Sequence, residues 1–573
     1  MELKEIRKQN KLTQQECADM FGISRRSYQA IENKEGGEEP EKYEYYCSLL
    51  SSNLENKDQR IIKYATNVTL GEDLVKMRSK VWFFQKRYCY SHLRDYLKND
   101  YGPRVCILYG LRRTGKTTLL AQLLSEVPTD NTAYIKLNEN NTMGDLIDDI
   151  NRLKKKGIKY LFIDEVTLVS DFINTSATLS DIYCAVGMKI ILSGTDSLGF
   201  AFAQNDELYD RCVTIHTSYI SFREFCMLLG KKDIDEYIEY GGTLRAENMK
   251  LSDPDFDKSS VSFRDDETTR KYIDTAIAKN IQRSLLNNKF GSRFSALKEL
   301  YEKDELTNVI NRVVEDMNHE FVLDVVTRKF KSGDLGSARQ MLTRSKLSNI
   351  QTALYRIDEK KVLDALKNII SVKEVTQLEV PVTDEVIAQI QIYLRELDLV
   401  KEVDVIYDTG RREKRQIFTQ PGMRYAIAKA LVYSLTNDEY IQTLSFQEQD
   451  FIIQKILSDV KGRMLEDIIL YERTRRKTED ELVFKYINSM GGEYDMVVYN
   501  RKENSYQLYE VKHSSVVSFE NQTKYLNNKK MFEQLTKGNG TLKSKIVLYT
   551  GDIQKVKDVQ YIDAAAYLNS DFI

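Results

Sequence analysis

Residues 104–220 alternate short apolar runs with stretches of helical period. The runs VCILYG, AYIKL, YLFIDEV, KIILSG and CVTIHT have the length of buried strands, and the segments between them have a helical pattern. That alternation predicts β–α–β units and a largely parallel sheet. Upstream, residues 1–34 read as short helices around a tight turn at Phe21-Gly22-Ile23. The polar stretch GGEEPE leads to a further helix over 43–54. A helix is expected over 75–99, with Trp82, Phe83, Phe84, Tyr88 and Tyr90 more readily placed in a core than in a ligand box. Downstream, 221–371 reads as mainly helical. Residues 372–435 read as a helix and two strands around a turn at Thr409-Gly410, and 446–573 as mixed α and β.

The bulk numbers narrow this picture. A chain of 573 residues has room for several cores, at roughly 100–200 residues per domain. A net charge of −2 gives no global basic field, so any contact with nucleic acid must come from local patches. The seven cysteines form no C-x-x-C pair and the four histidines are scattered, which argues against a zinc site or a disulfide framework. The N-terminus lacks an apolar signal core, and no apolar run reaches the ~18 residues of a membrane span. A cytoplasmic protein with no membrane partner is the expectation.

The chemistry begins where VCILYG runs into Gly110, Leu111, Arg112, Arg113, Thr114, Gly115, Lys116, Thr117 and Thr118, followed by an apolar helix. This is G-x-x-x-x-G-K-[ST] in a strand–loop–helix context. Glycines let backbone N–H groups approach phosphates, and the helix N-terminus favours an anion. Lys116 supplies a charge to the β- and γ-phosphates, and Thr117 a hydroxyl to Mg²⁺. The next apolar strand but one ends in Asp164 and Glu165, suited to holding Mg²⁺ and polarising a water. A further strand ends in Ser193, Thr195 and Asp196, where a polar side chain would sense the γ-phosphate or simply close a turn. Arg211 reads either as a finger completing a nucleotide site or as a surface ion pair with Asp210 or Glu207.

These segments, GLRRTGKTTLL, LFIDEV, LSGTDS and TSYISFREF, resemble AAA+ superfamily P-loop ATPases of the bacterial and archaeal type with a C-terminal nuclease-like domain. The resemblance implies ATP and Mg²⁺ as cofactors. By it, Gly110, Arg113, Thr114, Gly115, Lys116, Thr117, Thr118, Asp164 and Thr195 bind nucleotide, Thr117 and Asp164 hold the metal, and Glu165 is the catalytic base. It also implies homo-oligomer formation through the ATPase domain. The segment TTRKYIDTAIAKNIQRSL resembles the helix that opens the region after such a core, and the stretch around it carries no readable motif.

At the N-terminus, Thr13 and Ser24 stand where helix caps belong. Leu12, Cys17, Ala18, Met20, Ile23, Tyr28 and Ile31 would form a small core. Arg25, Arg26, Ser27 and Gln29 fall early on the last helix, where a recognition helix meets base edges. This part resembles a Cro/C1-type helix-turn-helix, a fold that contacts DNA or protein partners. Residues 1–34 carry seven basic and five acidic residues.

Residues 386–420 resemble a winged helix. Arg411, Arg412, Lys414 and Arg415 would lie on its wing, as phosphate contacts or as a solvated charged hairpin, and such a domain also serves contacts with a protein partner. Farther on, Glu466 lies on a helix, Asp495 opens a strand, and Glu510 and Lys512 share a face of the following strand. Carboxylates gathered in one place bind Mg²⁺, and an adjacent lysine stabilises developing charge. The set resembles the PD-(D/E)XK nucleases, with Tyr494 where the nominal proline stands. By this resemblance Asp495, Glu510 and Lys512 are catalytic, and Glu466, Asp495 and Glu510 are metal ligands. Arg473, Arg475, Arg476, Lys477, Lys529 and Lys530 would guide a phosphate backbone or merely serve solubility.

The expected fold class is multidomain α/β. It comprises an all-α helix-turn-helix (1–55), a P-loop parallel-sheet ATPase core (75–230), a helical region (231–371), a winged helix (372–435) and an α/β restriction-endonuclease-like domain (446–573). The expected function is an ATP-dependent DNA-binding protein coupling Mg-ATP hydrolysis to a metal-dependent nuclease, in genome defence or mobile-element maintenance. The alternative is an ATP-switched regulator or scaffold with a silent nuclease fold.

Overall fold

The structure, a computed structural model, describes residues 2–9, 12–21, 23–33, 43–44, 46–47, 64–169, 172–195, 200, 208–217, 219–244, 262–287, 294–331, 357–375 and 382–571. Gly22, most of the helix expected over 43–54, Asp196 and Glu207 lie outside the described residues. The chain divides into two compact units, Met1–Ala65 and Thr66–Ile573. No helix among the described residues is long and apolar enough to cross a membrane.

In the first unit, helices Leu3–Gln9, Gln14–Met20 and Arg25–Glu32 follow one another. Thr13 starts the second helix with a full capping box to Glu16, and Ser24 caps the third by accepting from Ser27 N–H. Caps of this kind contribute about 0.5–2 kcal/mol each, which matters in helices too short to stand alone. Leu3, Ile6, Cys17, Ala18, Tyr28 and Tyr46 are buried together, with Leu12, Ile23 and Ile31 packed against them. Arg7 locks first helix to third, its guanidinium 2.5 Å from Glu32.

The second unit holds two sheets. The first is built from β1 (Asn67–Thr69), β2 (Val105–Tyr109), β3 (Thr132–Lys136), β4 (Tyr160–Asp164), β5 (Lys189–Gly194) and β6 (Cys212–His216). Its strand order is β1-β3-β4-β5-β2-β6, parallel throughout except for β1. The five apolar runs are therefore its parallel strands. β5 stands between the strand that feeds the glycine-rich loop and the strand that ends in Asp164. Leu108, Phe162 and Ile191 are fully buried, because helices cover both faces of such a sheet.

The helix expected over 75–99 is two helices, Glu72–Ser79 and Tyr90–Lys98. The segment joining them leaves Trp82 78% and Phe83 56% exposed, so these aromatics do not enter the core, whereas Tyr90 does. The apolar spacing is broken by polar residues at 85–87, where the chain turns.

The second sheet comprises β7 (Val400–Tyr407), β8 (Arg412–Phe418), β9 (Glu481–Ile487), β10 (Glu493–Asn500), β11 (Ser505–Val511), β12 (Thr541–Tyr549), β13 (Gln554–Val556) and β14 (Val559–Asp563). Its order is β13-β14-β12-β11-β10-β9-β7-β8. The hairpin β7–β8, preceded by helix Asp384–Glu396, extends this sheet through parallel pairing of β7 with β9. A helix of thirty residues, Phe446–Arg475, runs beneath it. Leu465, Ile468 and Ile469 on that helix share one core with Val483, Met496 and Tyr509 of the sheet. The same core takes in Ile220, Phe222 and Tyr237 from the segment after β6. One apolar interior thus joins the residues that follow the first sheet to the second sheet.

Candidate functional site

Strand β2 ends at Tyr109, and the loop 110–115 turns the chain into helix Lys116–Leu123. Gly115 caps that helix at φ 86°, and a Cβ there would stand 3.1 Å from Leu244 Cδ1. Glycine is needed for both reasons. Arg113 adopts φ 63° without being glycine, a local strain of the kind found at ligand-binding loops. The Lys116 ammonium folds back on the loop, donating to the carbonyls of Gly110 at 2.8 Å and Leu111 at 2.9 Å. Burial pushes it down to about 8, against the pull of Glu165 and Asp164. An ammonium held by neutral carbonyls in a buried cradle is prepared to exchange them for an anion.

Asp164 is the hub of the opposite wall. It accepts from Thr117 Oγ1 at 2.8 Å, from the Tyr134 hydroxyl at 2.8 Å and from Ser193. Glu165 sits in the left-handed region at φ 60°, its carboxyl raised by burial, with Thr195 Oγ1 3.5 Å away. Thr118 is half-buried behind the loop. The structure thus gathers Lys116, Thr117, Asp164, Glu165, Ser193 and Thr195 at the C-terminal ends of parallel strands, where such sheets bind ligands.

Three features of this site escaped the sequence. Tyr134 looks like any strand aromatic. Arg87 is buried, paired through two 2.8 Å contacts with Glu224, and donates to the Thr114 carbonyl at 2.7 Å. The region without a readable motif supplies the rest. Leu244 N–H donates to the Arg113 carbonyl at 2.9 Å, Arg113 donates to Ser262 Oγ at 2.6 Å, and Asn280 donates to the Thr195 carbonyl at 3.2 Å.

Arg211 stands elsewhere. Because β6 runs parallel to β2 and Arg211 precedes β6, it lies at the end of the sheet away from the loop. It pairs with Asp181 at 2.9 Å, while Asp210 pairs with Arg104. Glu207 lies outside the described residues, and Arg211 does not complete this loop's site within its own chain.

A second constellation lies in a cavity of about 570 Å³ between helix Phe446–Arg475 and strands β9 to β11. Glu466, Asp495, Glu510 and Lys512 all line it. The β10–β9 register shifts between Tyr494 and Val497, so Asp495 sits at an irregularity that re-aims its side chain. Asp495 accepts the Val511 N–H at 2.8 Å. Lys512 Nζ meets Glu510 Oε1 at 2.5 Å, as expected of i and i+2 positions on one face. The other oxygen, Glu510 Oε2, is buried and makes no hydrogen bond. Burial pushes the Glu510 carboxyl up to about 8 and raises Asp495 too. Burial also opposes the charge of Glu466, yet Lys485 and Arg463 hold it well below the usual carboxylate range. An orphaned buried carboxylate oxygen beside a second carboxylate fits a divalent cation, since such an atom is costly without a partner.

Sequence reading missed Lys485, Glu493 and Arg463 here. Lys485 Nζ touches Glu466, Glu493 and Asp495, and Arg463 pairs with Glu466. A lysine inside a strand-like run reads as an edge or solvent-facing charge, not as a buried one.

The basic residues divide. Arg25, Arg26, Ser27 and Gln29 are exposed on the third helix of the first unit. Arg411 and Arg412 are exposed at the β7–β8 turn. Arg415 is not on a wing: it points inward and grips Asp467 at 2.7 Å, with Arg424 behind the same carboxylate at 3.5 Å. Alternation along β8 puts Arg412 and Lys414 on one face and Arg415 on the other. Arg473 and Arg476 are likewise structural, bonded to Glu481 and to Glu472.

Residues 102–226 match the AAA domain family and residues 3–37 a helix-turn-helix family. An uncharacterized protein of Methanocaldococcus jannaschii is 26% identical over 179 residues, covering 30% of this chain and 39% of its own length. The chain thus spans about two fifths of that relative. Among solved structures, the Aeropyrum pernix ORC1 protein in complex with DNA aligns over 63% of this chain and 94% of its own, at 13% identity and a TM-score of 0.20. The S. cerevisiae Hsp104–ADP complex aligns over 72% and 61%, at 14% identity and a TM-score of 0.23. Residues 102–226 are thus similar to AAA domains and residues 3–37 to helix-turn-helix domains.

Proposed function

We propose that this chain is an ATP-dependent DNA-binding protein whose AAA domain governs a metal-dependent nuclease site of the PD-(D/E)XK type. The observation that carries the nuclease reading is the buried, unpartnered Glu510 Oε2, across from Asp495 and beside Lys512 in one cavity. The phosphate loop, with Lys116 bonded to loop carbonyls and Thr117 bonded to Asp164, supports nucleotide binding. The exposed Arg25, Arg26, Ser27 and Gln29 support duplex recognition by the N-terminal helices.

At the loop, Lys116 releases its carbonyls and turns to the β- and γ-phosphates, while backbone N–H groups of 113–117 close around them. Magnesium bound beside Thr117 and Asp164 would neutralise phosphate charge. Glu165, raised by burial, orients the attacking water and takes its proton. Thr195 is within reach of Glu165 and reports on the γ-position.

In the carboxylate cavity, Asp495 and Glu510 would hold a divalent cation that activates water and offsets charge on a phosphodiester. Lys512 holds Glu510 in place and presents positive charge to the developing phosphorane. Arg328, which also lines the cavity, is half exposed and suited to a phosphate of the strand being cut. The exposed turn residues Arg411 and Arg412, on a winged-helix-like hairpin, would meet the same backbone.

The test is incubation of the full chain with labelled duplex and single-stranded DNA, with Mg²⁺ or Mn²⁺, with and without ATP. Cleavage lost in Asp495→Ala and Lys512→Ala, with ATP turnover kept, supports the reading. ATP turnover without cleavage supports a second one, an ATP-switched DNA-binding regulator with a silent nuclease fold. That second reading draws on Lys485, whose ammonium already neutralises part of the carboxylate cluster.

A further inference from the structure

Glu466, Glu493 and Asp495 each bring one carboxylate oxygen to within 4.8 Å of the others, a spacing suited to a divalent cation. The centre of that cluster belongs to a side chain. Lys485 Nζ is 3.2 Å from Glu466, 3.0 Å from Glu493 and 3.1 Å from Asp495. An ammonium has three donors, and here each meets a carboxylate. The Lys485 side chain is 1% exposed and rises from the interior of the sheet, because β9 is paired on one side with β10 and on the other with β7. Arg463 adds a second fixed charge on the same oxygens, against Glu466 and 3.9 Å from Glu493.

The other side of Asp495 differs. Its partner across the β10–β11 ladder is Glu510, since Met496 pairs with Tyr509. Glu510 Oε2 is buried with no partner, although Glu510 itself is only 7% exposed. One part of the pocket is therefore saturated by Lys485, while in the other Lys512 meets Glu510 Oε1 at 2.5 Å and leaves Oε2 without a partner.

We propose that Lys485 takes the place of a second divalent cation. The pocket then holds one divalent cation, on Asp495 and Glu510, and Glu466 and Glu493 serve as counter-ions of Lys485 instead of metal ligands. This rests on the reading of the pocket as metal-dependent. It makes Lys485 a positioning residue: it fixes Asp495 Oδ1, while Asp495 Oδ2 accepts the Val511 N–H. A site with two cations clamps both the attacking and the leaving oxygen. A site with one cation and one ammonium supplies metal-bound water on one side only, and on the other a charge that cannot be exchanged or chelated.

The experiment counts Mn²⁺ by calorimetry and by the loss of the free-ion spin-resonance signal. It uses the nucleotide-free full chain in an Asp164→Asn background, so that an ion beside the phosphate loop is not counted. The expected result is one Mn²⁺ per chain, weakened at least tenfold by Glu510→Gln, and two in Lys485→Met. Two ions with Lys485 intact, none at all, or one in a folded Lys485→Met protein would each overturn the inference. If Lys485→Met does not fold, the count with Lys485 present and its response to Glu510→Gln decide. DNA cleavage is read separately. One ion without cleavage sinks the nuclease reading and leaves the role of Lys485 standing, whereas cleavage with two ions does the reverse.

Discussion

The imidazole of His513 meets Asp235 at 3.0 Å, and His513 follows Lys512 directly. Asp235 opens the helix Ile234–Tyr240, and the chain after that helix reaches Leu244, whose N–H donates to the phosphate-loop carbonyl of Arg113 at 2.9 Å. A helix of seven residues is about 10 Å long, so this helix and the turn after it join the two candidate sites. Asp235→Asn should therefore uncouple them. ATP turnover should stay within about threefold of the unaltered protein, while the response of DNA cleavage to ATP is lost. Paired ATPase and cleavage assays check this, and an unchanged response would remove the helix from the coupling route.

The same pair carries an acid signature. The hydrogen bond from His513, with Lys461 also bonded to Asp235, lowers the Asp235 carboxyl to about 2. Its folded value is depressed below the usual ~3.9. The stabilisation it gives is therefore present above about pH 4 and lost as pH falls towards 2. The stability gap between the unaltered protein and Asp235→Asn should narrow over that interval, as read by urea unfolding at a series of pH values. A constant gap would mean that the contact contributes no linked protonation.

Lys116 and Glu165 should separate binding from turnover. Removing the ammonium in Lys116→Ala deletes a charge-assisted contact worth about 1.5–3 kcal/mol, so nucleotide affinity should fall roughly 10- to 100-fold. Glu165→Gln keeps the shape of the site and should bind nucleotide normally while turnover drops by about two to four orders of magnitude. Fluorescent-nucleotide titration and phosphate release measure the two effects. Wild-type turnover in Lys116→Ala would place nucleotide elsewhere.

How far these sites were legible depended on whether their residues are close in the chain. Gly110 to Thr118 are consecutive, and the apolar runs around them have strand length, so loop and sheet could both be read. Glu510 and Lys512 were legible for the same reason, as period-two neighbours. Arg87 and Glu224 were not, since 137 residues separate them and only folding makes them partners. Lys485 was hidden because its burial depends on β7, a strand some eighty residues earlier that closes over β9. Arg415 misled for the converse reason: a run of basic residues suggests an exposed turn, but period two sends every second side chain inward, here to Asp467. Trp82 and Phe83 were assigned to a core by apolarity alone, where the chain turns and leaves them exposed.

Arg87 should matter to both stability and nucleotide binding. Its pair with Glu224 is buried at both ends, with side chains 5% and 6% exposed. Removing one partner leaves the other charge stranded, at a cost of about 3–5 kcal/mol. Arg87→Ala should therefore unfold at clearly lower denaturant than the unaltered chain. It should also weaken nucleotide binding, because the guanidinium holds the Thr114 carbonyl. In the double variant Arg87→Met, Glu224→Leu, stability should return in large part while nucleotide affinity stays low. Equal recovery of both would reduce Arg87 to a packing role.

The helix-turn-helix offers the last prediction. Arg25 and Arg26 are exposed at the start of helix Arg25–Glu32, on the turn capped by Ser24, whereas Tyr28 one turn on is fully buried. Their replacement leaves the small core untouched, so any effect on DNA is an effect on contact. Each arginine that neutralises a phosphate contributes about one unit to the slope of log affinity against log salt. The Arg25→Ala, Arg26→Ala protein should therefore bind duplex more weakly at low salt, with a slope shallower by about two. If one of the pair reads a base instead, the slope changes by about one and discrimination among sequences falls as well. A fluorescence-anisotropy titration at several salt concentrations, with matched and scrambled duplexes, separates these outcomes. Unchanged affinity and slope would turn the helix towards a protein partner.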